Sequence, residues 1–245
     1  MSEPRRLPKR ERQKRILEKL RASNDLWIPG LVTALDDVRH MHQEGQAERM
    51  ALSPVNAAQT QVASRRQKLA ALAMRAIQPH MVIMIDGGAI ALDLARRMAA
   101  DARQITVITN NLPAATMLGA NPTIEVMFCP GRYDGDRGTV DGADTVRFVS
   151  RFRANLAIIG ACGITVQGPN SAHADAAAIK RAMLERAEEC ILLLDCTKFG
   201  NRNPHRLCPL EEIDRLICDE RPDAALSAAL SKARVEVQHL SAILL

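Results

Sequence analysis

Asp86, Gly87 and Gly88 stand between an unbroken apolar run, Met81-Val82-Ile83-Met84-Ile85, and a helical pattern that opens at Ala89 and Ile90. A strand, a tight glycine turn and a helix in that order can hold an anion. The glycines let the backbone turn sharply and approach a ligand closely. The helix aims free N–H groups and the positive end of its dipole back at the turn. Four more polar clusters each follow an apolar run: Thr109-Asn110-Asn111, Gly131-Arg132-Tyr133-Asp134, Gly160-Ala161-Cys162-Gly163 and Asp195-Cys196-Thr197-Lys198-Phe199-Gly200. Lys198, with the helix N-terminus, suits a phosphate, Arg132 adds an arginine to the pocket, and Asp86, Asn110 and Asn111 suit hydroxyl groups. Together they make a pocket for a phosphorylated polyol. Singly, each has an ordinary structural use, since asparagine after a strand is a common turn residue and Asp195 can serve as a cap.

No catalytic constellation stands out. His173 and His205 have no evident partner carboxylate or nucleophile, and Cys162 and Cys196 have no base nearby in sequence. The six cysteines show neither a CxxC nor a zinc spacing, so they read as reduced thiols with no metal. No cofactor is expected.

Stepping along the chain, apolar runs alternate with helical periodicity. A long helix begins near Gln61 and ends at Gln78-Pro79-His80. Strands are then expected at 82–85, 104–108, 123–128, 155–160, 190–195, 214–218 and 234–238. Helices fall at 89–100, 112–119, 142–152, 174–188 and 223–232, with 129–138 and 161–172 as loops. This pattern predicts an α/β fold, a mostly parallel sheet covered by helices on both faces. Ligands on such sheets sit beyond the carboxyl ends of the strands.

Composition sets the outer limits. A chain of 245 residues, 47% hydrophobic and 25% charged, suits one large domain with a small appendage. No apolar run reaches the roughly 20 residues of a membrane span, and no apolar core follows Met1-Ser2-Glu3-Pro4-Arg5-Arg6, so a cytoplasmic protein with no membrane contact is expected. An aromatic content of 2% argues against a stacking platform for single-stranded nucleic acid. The net charge of +5 is uneven: Arg5, Arg6, Lys9, Arg10, Arg12, Lys14, Arg15, Lys19 and Arg21 face only Glu3, Glu11 and Glu18 in the first 21 residues. A basic helical head at 1–50, a linker at 51–60 and a body at 61–245 follow, the head being suited to a polyanion such as nucleic acid.

The order of these motifs resembles the DeoR family of bacterial sugar-metabolism transcriptional repressors over about residues 61–240. Ile85-Asp86-Gly87-Gly88-Ala89-Ile90 is similar to the family's Asp-Ser-Gly-Thr-Thr turn, and Val107-Ile108-Thr109-Asn110-Asn111 to its Val-Thr-Asn-Ser. Pro130-Gly131-Arg132-Tyr133 resembles its Gly-Gly-x-x loop, and Ile159-Gly160-Ala161-Cys162-Gly163-Ile164 its Ile-Gly-Ala-Asp-Gly-Ile. Ile179-Lys180-Arg181-Ala182-Met183 and Asp195-Cys196-Thr197-Lys198-Phe199-Gly200 match its Val-Lys-Arg-Ala-Met and Asp-Ser-Ser-Lys-Phe-Gly. The resemblance implies a ribose-5-phosphate isomerase and CoA-transferase type of fold used as a sensor of a phosphorylated sugar or related metabolite, without catalysis. It also implies operator DNA as a partner and a homo-oligomer, dimer or tetramer, because operators are read by symmetric assemblies.

Two stretches depart from the family pattern. Ala89 and Ile90 stand where it has two threonines, so two hydroxyl donors are gone while the backbone N–H groups remain; Cys162 replaces an acidic residue. In the head, Glu11–Leu20 is similar to the first winged-helix segment and Val38–Arg49 to the end of the recognition helix and the start of the wing. Between them Thr33-Ala34-Leu35-Asp36-Asp37-Val38 stands where Thr-Ile-Arg-Arg-Asp-Leu is expected. Leu35 and Asp36 thus replace two arginines, and each lost cation lowers DNA affinity. The cations left for DNA are Arg10, Arg12, Lys14, Arg15, Arg39 and Arg49. Two other readings stay open: a partner that assembles with a DNA-binding paralogue, and a sugar-phosphate isomerase with Asp86 as its base.

Overall fold

The computed structural model describes residues 54–101 and 103–240, and side chains from Ala63 onward. The basic head, with Arg10, Arg12, Lys14, Arg15, Arg39 and Arg49, lies outside the described residues.

The first described element corrects the sequence reading. Helix α1 runs Pro54–Ala73, so residues 54–60, expected as linker, are helical. Pro54 suits a first helical position because its fixed φ matches and its missing N–H would be unpaired there anyway. The alanines and glutamines that follow are good helix formers, although a small, polar run of this kind also suits a linker. The compact unit that carries the sheet starts at Gln61.

The alternating pattern then appears as expected: β1 (Val82–Ile85), α2 (Ala89–Ala99), β2 (Ile105–Thr109), α3 (Leu112–Leu118) and β3 (Ile124–Phe128). A short hairpin, β4 (Arg132–Asp134) and β5 (Thr139–Asp141), precedes α4 (Ala143–Val149) and β6 (Ala154–Ile159). A second hairpin, β7 (Gly163–Thr165) and β8 (Gly168–Ser171), precedes α5 (Ala174–Arg186) and β9 (Ala187–Leu193). The chain continues through β10 (His205–Arg206), β11 (Arg215–Cys218), α6 (Ala224–Lys232) and β12 (Glu236–His239). The second hairpin and the first strand of the first fall in stretches expected as loops, and β5 occupies the three residues between the expected loop and the helix after it. The hairpin strands are too short to show alternation and are rich in polar residues and glycine, which read as turn.

Seven strands form one sheet in the order β12-β11-β9-β6-β1-β2-β3, and every pairing within it is parallel. Side chains alternate between its faces. Ile83, Ile85, Val107, Leu156, Ile158 and Ile217 pack with Leu69 and Leu72 of α1, Leu94 of α2 and Leu118 of α3. Met84, Ile108, Ile159, Leu192 and Leu216 pack with Val149 of α4, Ile179 and Met183 of α5 and Leu230 of α6. Burial on both faces explains the unbroken apolar run of β1.

The strand order also fixes where a ligand can enter. From β1 the chain proceeds outward to β2 and β3; from β6, on the other side of β1, it proceeds outward to β9, β11 and β12. The loops after β1 and β6 therefore diverge and leave a crevice at their carboxyl ends, a topological switch point.

Candidate functional site

A cavity of about 500 Å³ opens at that crevice, within the usual range for a small-molecule site. Asp86, the first residue beyond β1, lies on its floor and is 1% exposed. The Gly160 N–H donates to Asp86 Oδ1 at 3.2 Å, which joins the loop after β6 to the loop after β1. The ammonium of Lys180, from α5, forms an ion pair with Asp86 Oδ2. Burial pulls Lys180 down from the ordinary lysine value to about 7. Sequence reasoning treated Lys180 only as part of a motif. The available signal was its place: Ala176, Ile179, Lys180 and Met183 recur at helical spacing, so one lysine sits on an otherwise apolar stripe.

The turn after β1 is open to a ligand. Gly87, Gly88, Ala89 and Ile90 all line the cavity. Gly88 precedes the first turn of α2 in extended backbone, and no side chain caps that helix. Its first N–H groups are therefore available to an anion. Gly87 is required for a different reason. A Cβ there would run into the methyl of Thr139 on β5, so the hairpin can close over the turn only where no side chain intervenes.

The structure brings Asn110, Cys162 and Lys198 to the same cavity. The Asn110 amide donates from Nδ2 to the Val140 carbonyl at 3.0 Å, which fixes the way the side chain faces. Cys162 is half-buried, with Sγ 4.0 Å from Ser171 Oγ. Lys198 belongs to the single 3-10 turn Cys196–Lys198 after β9, and no described residue forms an ion pair with it.

Two expected site residues are elsewhere. Asn111 does not line the cavity; its Oδ1 accepts from the Ala114 N–H at 2.9 Å and caps α3. A short polar residue before a helix is more useful there than in a pocket. Arg132, at the exposed end of β4, pairs with Asp175 at 3.1 Å and does not line the cavity. The hairpin supplies Arg137, Thr139 and Asp141 instead. Arg137 pairs with both Asp141 and Asp134, the latter at 2.8 Å. Burial holds the Asp141 carboxyl above the usual carboxylate range, with Arg137 pulling the other way.

Helix α1 contributes Arg65 and Arg66, which sequence reasoning also passed over. Arg65 donates to Glu220 at 2.9 Å and to Asp219 at 3.4 Å; Arg66 lies 3.6 Å from Asp93 of α2. Four of the five cations lining the cavity thus have carboxylate partners, and Lys198 is the cation that no described carboxylate claims. None of the assigned thiols is a ready nucleophile: burial raises Cys196 to about 11 and Cys129, Cys190, Cys208 and Cys218 to about 12.

Comparison with known proteins adds the lineage. Residues 61–220 match the family model of the DeoR C terminal sensor domain. The chain is 30% identical over 157 residues to the HTH-type transcriptional repressor GlcR of Bacillus subtilis, a span that covers 62% of this chain and 61% of that one. It is 24% identical over 239 residues to the glycerol-3-phosphate regulon repressor of Haemophilus influenzae, covering 88% of this chain and 91% of that protein. It is 25% identical over 248 residues to the HTH-type transcriptional regulator GolR of Listeria innocua, covering 93% and 97%. Among solved structures, ribose 5-phosphate isomerase A from Methanocaldococcus jannaschii aligns with a TM-score of 0.41 at 17% identity over 56% of this chain and 54% of that one.

Proposed function

The chain belongs to the DeoR family of transcriptional regulators, and we propose that its body senses a phosphorylated sugar or related polyol phosphate and so controls DNA binding by the basic head. The observation that carries this reading is the pairing of an uncapped helix N-terminus with an unclaimed lysine. The N-terminus of α2 and Lys198 border one cavity at the switch point of the sheet, and each favours a bound phosphate. Ala89 and Ile90 supply no hydroxyls, so phosphate is held by backbone N–H groups and Lys198. The ligand class is supported by one relative, a repressor named for a glycerol-3-phosphate regulon.

In this reading residues 1–50 form the DNA-binding head, and the sensor follows from about residue 61. The ligand acts by preferring one of two arrangements of an oligomer, because only differential affinity moves such an equilibrium. The repressed genes are carbohydrate-metabolism genes, as for the family at large.

Two measurements test it. A thermal-shift screen with phosphorylated sugars is expected to raise the melting temperature with at least one compound, since a ligand that prefers the folded state stabilises it. Gel retardation on the upstream intergenic DNA is expected at low salt and is weakened steeply by added salt. A ligand response without any retardation at low salt favours the partner reading, which the replacement of two arginines by Leu35 and Asp36 already supports. No thermal response to any phosphorylated compound overturns the sensor reading.

A further inference from the structure

One wall of the cavity carries three buried polar atoms that have no protein partner among the described residues: Asn110 Oδ1, Thr139 Oγ1 and Asp141 Oδ1. The three side chains belong to residues that are 4%, 3% and 1% exposed, and all line the cavity. Their placement follows from the hairpin. Successive residues of β5 point to opposite sides: Val140 enters the core, while Thr139 and Asp141 face the cavity.

The atoms left over are set by the bonds already made. Asn110 gives its NH₂ to the Val140 carbonyl, which turns Oδ1 away from that bond. Asp141 gives Oδ2 to Arg137 and keeps Oδ1. Two of the three side chains also meet at the turn after β1. A Cβ built on Gly87 would stand 3.9 Å from Asn110 Oδ1 and 3.3 Å from Thr139 Cβ. Burying such atoms unpaired is costly, so a group of them facing one cavity points to donors supplied from outside the chain.

What those donors are is constrained by charge. Asn110 Oδ1 and an ionised Asp141 can only accept, and Thr139 can accept as well. Phosphate oxygens would meet carboxylate and carbonyl oxygens there and are excluded. An ammonium group is not called for, because the Arg137 guanidinium already pairs with Asp141. We infer that Asn110, Thr139 and Asp141 form a wall that reads ligand hydroxyl groups and, with the phosphate at the N-terminus of α2, sets the direction in which the ligand lies. This inference rests on the sensor reading above and assigns specificity to residues of the hairpin, which carry no part of the anion site.

The test compares inorganic phosphate with glycerol 3-phosphate, ribitol 5-phosphate and sorbitol 6-phosphate, by calorimetry on the full chain. At least one polyol phosphate is expected to bind more tightly than inorganic phosphate. Thr139→Val keeps the methyl that meets Gly87 and removes only Oγ1. It is expected to leave the ligand-free melting temperature unchanged or higher, to weaken the polyol phosphate about five- to tenfold, and to leave inorganic phosphate unaffected. Thr139→Ser is expected to restore the affinity. Deoxy analogues of the tightest polyol phosphate repeat the comparison on the unaltered protein, and at least one is expected to bind as weakly as the parent does to Thr139→Val. If a polyol phosphate binds tightly but neither Thr139→Val nor any deoxy analogue costs affinity, the hydroxyl wall is overturned and the sensor reading stands. If inorganic phosphate binds as well as every polyol phosphate, the wall is again overturned. If nothing binds, both fall together.

Discussion

Lys180 Nζ and Asp86 Oδ2 form an ion pair at the cavity, between helix α5 on one face of the sheet and the loop at the end of β1. Both residues are more than nine-tenths buried. Removing one partner of a buried pair leaves the other charge uncompensated, which costs far more than a surface pair is worth. Lys180→Met is therefore expected to destabilise the protein by about 3 kcal/mol, read from urea unfolding at pH 6, below the value of about 7 at which Lys180 loses its charge. The double variant Lys180→Met, Asp86→Asn is expected to be more stable than Lys180→Met alone. Equal stability of the single variant and the unaltered protein would show that the pair contributes nothing.

The same lysine makes stability depend on pH. Burial lowers its folded value to about 7 from the ordinary 10.5. Between those two values the unfolded chain binds a proton that the folded chain lacks, so stability rises with pH across the window. The cost of burying the ammonium is fully present below about 7 and is relieved towards 10.5. The buried thiols, held neutral up to about 12, act in the opposite direction above their ordinary value. The measurement is therefore the difference in unfolding free energy between unaltered protein and Lys180→Met from pH 7 to 9. That difference is expected to grow in favour of the unaltered protein, at up to about 1.4 kcal/mol per pH unit; a flat difference would contradict it.

Gly87 and Gly88 are adjacent but not equivalent. At Gly87 an added Cβ meets the Thr139 side chain, whereas at Gly88 the nearest atom is 3.7 Å away. Gly87→Ala is expected to cost about 1–3 kcal/mol through overpacking. Gly88→Ala, at a helix N-cap in extended backbone, is expected to cost under about 1 kcal/mol. Thermal unfolding of the two variants side by side decides it, and the reverse order would mean that the hairpin does not close on the turn.

The thiols offer a check on the cavity itself. Cys162 and Cys196 are partly exposed, whereas Cys129, Cys190, Cys208 and Cys218 are buried. Burial and the neighbouring carboxylates of Asp219 and Glu220 hold Cys196 protonated, up to about 11. Iodoacetamide on the folded protein is expected to label Cys162 first, Cys196 more slowly, and the other four only on unfolding. Mass spectrometry of a time course reads this directly. Early labelling of any buried thiol would contradict the packing.

Much of the fold was legible before any coordinates. The apolar runs of β1, β2 and β6 and the periodic stripe of α2 are long enough for their period to show, and they locate the glycine turn at Asp86–Ile90 by themselves. Asn110, Cys162 and Lys198 were legible for a related reason: each follows a strand, and parallel strands put their carboxyl ends on one edge. Asn111 and Arg132 share that sequence position and still miss the cavity. One caps α3 and the other sits at the exposed start of a hairpin, and local sequence does not distinguish these uses from binding.

The amino-acid sequence by itself determined the covered parallel sheet and the rim on which its polar loops gather, because burial on both faces imposes unbroken apolar strands and short crossovers. The tertiary structure alone decided which polar groups share one cavity. Strand order put the switch point between β1 and β6, the hairpin brought Thr139 over Gly87 and Asp141 into the cavity lining, and packing of α5 and α1 delivered Lys180, Arg65 and Arg66 from faces that look merely helical. Periodicity reports how each element meets its nearest neighbours along the chain. It carries no record of partners 74 or 154 residues apart, such as Asp86 with Gly160 or Arg65 with Asp219, which meet only when the layers close.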